Sequence, residues 1–148
     1  MTIGLGQLVD WGVFARARTE LGGAFVRILG YFREDGVKSV TAIEQAMRDR
    51  SAAGLVLPAH TLKGESRQFG ALPLSCLAEE IEMEARRCVE ARQKPDDLIE
   101  RIAELRPLFE ATLRLFDQET QAPAPAASRV APGGFGRRAA PTFGTAQR

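Results

Sequence analysis

The chain is poor in the residues that build metal centres and covalent cross-links. Its 148 residues include one histidine, His60, and two cysteines, Cys76 and Cys88. Both cysteines fall in one helical stretch, where a 1.5 Å rise per residue sets them roughly 18 Å apart, far beyond disulfide reach. They read as small core or surface residues of a protein in a reducing compartment. No run of about 18 apolar residues is present, which excludes a membrane-spanning helix. The opening "MTIGLGQLVD" has neither a basic start nor a long apolar stretch, so it does not read as a secretory signal, and the expected location is cytoplasmic.

A basic surplus is lacking as well. Net charge is +1, but from residue 121 onward the only ionisable side chains are Arg129, Arg137, Arg138 and Arg148. Setting those four aside leaves 16 basic against 19 acidic residues in the body of the chain. A mildly acidic body argues against nucleic acid as the main partner, because phosphate contacts need clustered Lys and Arg. The closing stretch "QAPAPAASRVAPGGFGRRAAPTFGTAQR" holds four prolines and four glycines, no acids and no apolar periodicity. It cannot bury enough surface to offset its ordering entropy, so residues 120–148 are expected to be a disordered tail.

What remains, residues 1–119, reads as helix throughout, without strand-type alternation or repeats. A short helix is predicted after Asp10, a suitable N-cap. A long one follows over about Glu20 to Arg48, with Leu21, Phe25, Ile28, Phe32, Ile43 and Met47 near one face. Gly30 and Gly36 weaken it, and a bend or break is expected near "REDGVKS". The third spans about Ala52 to Gly70. The fourth runs from about Pro73 to Gln93 with Leu74, Leu77, Ala78, Ile81, Ala85 and Cys88 in one stripe. The fifth covers about Asp97 to Gln118, with Leu98, Ile102, Leu105, Phe109, Leu113 and Phe116 inward and Pro107 expected to kink it. Connections this short favour antiparallel packing. The expected fold is all-α: an antiparallel four-helix bundle with a short extra N-terminal helix, followed by the tail.

The lone histidine lies in "AHTLKGESRQFGA", residues 59–71. At 100° per residue, Leu55, Ala59, Leu62, Ser66 and Phe69 share a direction to within about 40°, which marks the core side. His60, Lys63, Gly64 and Arg67 cluster within roughly 100° on the other side, so the imidazole is expected to face water. An exposed histidine usually means nothing, but these neighbours suit phosphoryl chemistry. A nearby ammonium favours the neutral, nucleophilic ring and then neutralises the phosphoryl oxygens, a task for Lys63 one turn on. In-line transfer needs a close approach by the donor, and Gly64 presents no side chain to obstruct it. Glycine mid-helix costs about 1 kcal/mol relative to alanine, a local violation that suggests function. Arg67 extends the cationic patch.

These residues resemble the signature of histidine-containing phosphotransfer (HPt) domains, His-x-x-Lys-Gly, here His60, Lys63 and Gly64. The downstream "LAEEIEMEAR" is similar to the family's continuation on the next helix, and the likeness covers roughly residues 10 to 118. The resemblance implies that His60 accepts the phosphoryl group through Nε2, with Lys63 beside that group. It places Glu82 near the ring as an acceptor for Nδ1–H, and Arg86 at a basic position framing the partner surface. The recognition face is expected to comprise Val56, His60, Lys63, Gly64 and Arg67 with part of the fourth helix. Two departures stand out. The family's small residue after the glycine is Glu65 here, which puts a carboxylate close to a site that must hold phosphate unless it projects sideways to pair with Arg67 or solvent. Pro58 lies two residues before His60, where it should loosen the turn.

The implied function is a phosphorelay intermediate, taking a phosphoryl group from one receiver-domain aspartate and passing it to another. The chain would be a phosphocarrier without kinase activity of its own. Its partners would be response-regulator receiver domains and a hybrid histidine kinase, and the chain itself a monomer. No cofactor of its own is implied: no metal-ligand cluster lies near His60 in the sequence, and the Mg²⁺ would belong to the receiver. Two alternatives compete. An ATP-using histidine kinase usually has an acid directly after the phosphorylated histidine, where this chain has Thr61, and "APGGFG" lies in the tail without a flanking strand. A non-phosphorylated helical adaptor could dock receiver domains without chemistry.

Overall fold

A computed structural model describes residues 7–121. One compact unit ends at Asp117 and a second begins at Gln118, of which the described part is residues 118–121. The described residues form five α-helices: α1 (Trp11–Leu21), α2 (Phe25–Arg48), α3 (Ala52–Gln68), α4 (Leu72–Ala91) and α5 (Ile99–Gln121). None of them is long and apolar enough to cross a membrane.

Local chemistry accounts for most of the boundaries. The Asp10 carboxylate accepts hydrogen bonds from the Gly12 and Val13 amides and starts α1. Ser51 does the same for Gly54 at the head of α3. Pro73 occupies the first turn of α4, where its missing N–H costs nothing. Gly70, with φ +82°, turns the chain from α3 into α4 and accepts from the Asp10 amide at 2.8 Å. A Cβ there would sit 2.5 Å from the Asp10 carbonyl, so only glycine lets the N-terminal segment lie against this turn.

The long helix does not break where the glycines suggested. The chain interrupts earlier, in a single 3-10 turn over Gly22–Ala24, where Gly22 takes φ +54°. From Phe25 it runs unbroken through Gly36 to Arg48. Gly36 is a packing notch: a Cβ would lie 2.6 Å from Cζ of Phe109. The helices also continue through Pro58 in α3 and Pro107 in α5. Helix α5 reaches Gln121, two residues past the expected boundary at 119. After Pro107 no further proline occurs until Pro123, which leaves the helix free to run on. The rest of the stretch expected to be a tail lies outside the described residues.

Polar pairs fix the helix directions. Arg33 of α2 meets Asp117 of α5, while Arg106 meets Glu44 at 2.8 Å, so these helices run antiparallel. Between α3 and α4, Arg67 reaches Glu79 and His60 reaches Glu82, again antiparallel. Helices α2–α5 are the four-helix bundle and α1 is the extra N-terminal helix. All six stripe residues of α4 are buried, as are Ile102, Leu105, Phe109, Leu113 and Phe116 of α5 with Leu98 just before it, and Leu55, Ala59, Leu62 and Ser66 of α3 with Phe69 just after it. Cys76 is exposed, Cys88 is buried, and both are free thiols on α4.

Candidate functional site

The site lies where α3 faces α4, and backbone anchoring holds the two together. Ser75 of α4 donates its hydroxyl proton to the Lys63 carbonyl at 3.0 Å. Below the surface, Ala59 and Leu62 are completely buried, so the residues between and beside them are held outward at a fixed register. His60 is accordingly on the wet side, with its side chain 55% exposed.

One carboxylate organises the cluster. Glu82, its side chain only 5% exposed, receives His60 Nδ1 at 2.9 Å and Arg86 at 3.0 Å (Nε) and 2.8 Å (Nη2), all on Oε2. Its Oε1 pairs with Lys63 Nζ at 2.9 Å. Burial pushes the Glu82 carboxyl upward, but hydrogen bonds from Lys63, Arg86 and His60 outweigh it and hold the pKa at about 2. Glu82 is therefore ionised at neutral pH. An ionised carboxylate only accepts, so Nδ1 is the protonated nitrogen and the neutral ring carries its lone pair on Nε2.

The remaining expected residues fall around this hub. Gly64 is exposed, and a Cβ built there meets nothing within 4 Å. Nothing inside the fold requires glycine at that position. Arg67 is exposed and pairs with Glu79 at 3.8 Å. Val56 is half-buried against the core and is not among the residues gathered on Glu82. Lys63 is more enclosed than its helical position suggested, with its side chain 21% exposed, because Glu82 draws it inward. Glu65 does not turn to Arg67. Burial, with the charge of Asp35 on α2 adding to it, raises its carboxyl above the ordinary range. The carboxylate that seemed to threaten the site is thus on the far side of α3.

Three features of the surroundings escaped the sequence. Glu79 is the partner of Arg67, Leu57 is 71% exposed one turn before His60, and Met83 is 62% exposed directly after Glu82. Leu57 carried a signal: it is an apolar residue on the face expected to meet water. Glu79 carried none, since its pairing exists only once α3 and α4 are packed. Among the described residues, no group of three or more His, Cys, Asp or Glu side chains could hold a metal ion.

This arrangement offers an exposed nitrogen nucleophile with an ammonium nearby and open backbone beside it. The Hpt domain family model matches residues 27–118. The chain belongs to the Hpt domain family. Its structure is similar to the histidine-containing phosphotransfer protein B (HptB) from Pseudomonas aeruginosa PAO1. The TM-score is 0.68 at 25% identity, over 78% of this chain and 96% of that one. No curated protein matches the chain. As an Hpt domain the chain has its function class in histidine phosphotransfer within two-component signalling. The match begins inside α2, leaving α1 and the Gly22–Ala24 turn outside it.

Proposed function

We propose that this Hpt domain relays a phosphoryl group between receiver-domain aspartates through Nε2 of His60. The observation that carries the reading is the 2.9 Å contact between His60 Nδ1 and the ionised Glu82, which leaves Nε2 as the free nucleophile on an exposed ring. An incoming aspartyl phosphate would approach over Gly64, where no side chain intervenes. Lys63 would turn its ammonium from Glu82 to the phosphoryl oxygens, and Arg67 would contribute positive charge at the rim. Val56 and Arg86, with the exposed Leu57 and Met83, would complete the surface read by the partner.

The partners in this reading are response-regulator receiver domains and a hybrid histidine kinase, with Mg²⁺ supplied on the receiver. The chain acts as a carrier, in the cytoplasm and as a monomer, with no kinase activity of its own. The test is incubation with a phosphorylated receiver domain. An acid-labile, base-stable phosphate should appear on the wild-type chain and be absent from His60→Gln. Wild-type protein that binds several phosphorylated receivers yet never becomes labelled would instead identify an adaptor.

A further inference from the structure

A cavity of about 730 Å³ opens between the C-terminal end of α2 and the N-terminal end of α5. Helix α2 packs on α3, and α5 meets α4 through Arg101 and Glu80 at 3.1 Å. The α2–α5 seam therefore lies across the bundle from the hairpin that carries His60. None of His60, Lys63, Gly64 or Arg67 lines the cavity.

Its floor is apolar. Ile102 is buried there, and the half-buried Met47 packs against the core beside it. Ala103 and Ile99 line its exposed side, and Ile99 is 58% exposed at the start of α5. Val37, two turns before Glu44 on the same flank of α2, is exposed as well. Single exposed apolar residues are ordinary, but these share one concavity and the strip leading into it. An open groove between two helices cannot enclose most of a small ligand's surface, as small-ligand sites do, whereas it fits a peptide segment laid along it.

The charges around the groove are matched with one exception. Glu44 is held by Arg106 at 2.8 Å, and Asp96 by Arg50. Arg48 lowers the Glu44 carboxyl from a distance, yet among the described residues no carboxylate lies within ion-pair reach of it. Its guanidinium donates only to the side-chain oxygen of Gln45, at 2.9 Å. Arg50 adds a second oddity. It takes φ +53°, a left-handed conformation that glycine adopts freely and other residues adopt at a cost. Its ion pair with Asp96 joins the α2–α3 turn to the segment before α5, and both residues line the cavity.

We propose that the α2–α5 groove is a second docking surface, and that it takes an acidic amphipathic peptide segment of a partner protein. A large apolar side chain of that segment sits on Met47 and Ile102 against Ile99, and a neighbouring carboxylate pairs with Arg48. A partner held there leaves the ring of His60 open on the opposite seam. The assignment stands whether or not His60 carries phosphate.

The experiment selects random short peptides displayed on phage against the immobilised full chain, then measures the enriched sequences as fluorescein-labelled peptides by anisotropy. Enriched peptides should place Asp or Glu beside Leu, Ile, Phe or Trp. Arg48→Glu and Ile99→Ser should each weaken their binding about fivefold or more. Peptides with Lys in place of the acid should prefer Arg48→Glu to wild type. Both positions are exposed, so both variants should fold, as circular dichroism will verify, and should take phosphate from phosphoramidate at the wild-type rate. Peptides that bind both variants as tightly as wild type are seated elsewhere, and that result overturns the proposal. So does enrichment of basic or uncharged sequences, or no enrichment at all. A folded variant that loses phosphate uptake would deny that the groove is separate from the His60 site, and a dimer that both variants dissolve in sedimentation would give the groove to a second copy. Either result also overturns the assignment.

Discussion

At the scale of single residues, the site separates groups that act from groups that merely occupy space. In the proposed relay Lys63 is the cation that would reach the phosphoryl oxygens, and a charge-assisted hydrogen bond of that kind contributes roughly 1.5–3 kcal/mol. Lys63→Ala should therefore shorten the phosphohistidine lifetime or slow transfer by about tenfold or more, measured by loss of label over time. Gly64 permits a sharper separation of folding from function. Since a side chain there meets nothing, Gly64→Gln should raise stability by up to about 1 kcal/mol in thermal unfolding through helix propensity alone. The same variant should transfer phosphate at least several-fold more slowly, because the approach is obstructed. Glu82 adds a pH dependence. Its carboxyl lies at about 2 when folded, against an ordinary value of 4.5. Its ionic partners thus stabilise the fold fully above about pH 4.5, and that contribution disappears as pH falls toward 2. Linkage puts it on the order of 3 kcal/mol. Acid unfolding of Glu82→Gln should lack this component, so its stability should decline less between pH 5 and pH 2 than that of wild type.

At the scale of helices, sequence periodicity located the elements and misplaced one interruption, and the physical cause is plain. Apolar spacing in α3, α4 and α5 records which face meets the core, and those faces are buried as expected. Gly36 looked like a weak point because helix propensity concerns a residue's own backbone, whereas its use here is set by Phe109, on a helix about 70 residues further along. Packing of that kind leaves no local trace. Gly36→Ala tests it: the methyl group should collide with the Phe109 ring and destabilise the fold by about 1–3 kcal/mol despite alanine's better propensity. Denaturant titration will give the sign. At the site, the same division holds. His60, Lys63 and Gly64 were legible because their spacing is local to one helix. The Glu79 pairing and the inward turn of Lys63 were not, because each depends on how α4 is laid against α3.

At the scale of the whole molecule, an aromatic core ties the extra helix to the bundle. Phe116 of α5 stacks on Phe14 of α1 at 5.1 Å between centroids and meets Trp11, Phe32 and Phe69 edge-on or tilted. Truncating Phe116 to alanine opens a cavity bordered by α1, α2 and the turn between α3 and α4, and should cost about 3–5 kcal/mol. The loss should appear in a single unfolding transition followed by both tryptophan fluorescence and helical signal, because Trp11 touches the same ring. Composition and pattern gave the class of fold, but the choice of which aromatic rings meet belongs to the packed state alone.

Among the described residues, every polar contact to the His60 ring and its two nearest cations comes from the hairpin between His60 and Arg86. The other helices buttress that hairpin without lending it a reactive group. Chemistry and address are consequently written in separate alphabets: the buried anion beneath the ring can stay constant while outward positions such as Leu57, Arg67 and Met83 are rewritten. A lineage could exchange its correspondents in this way and never rebuild the relay itself.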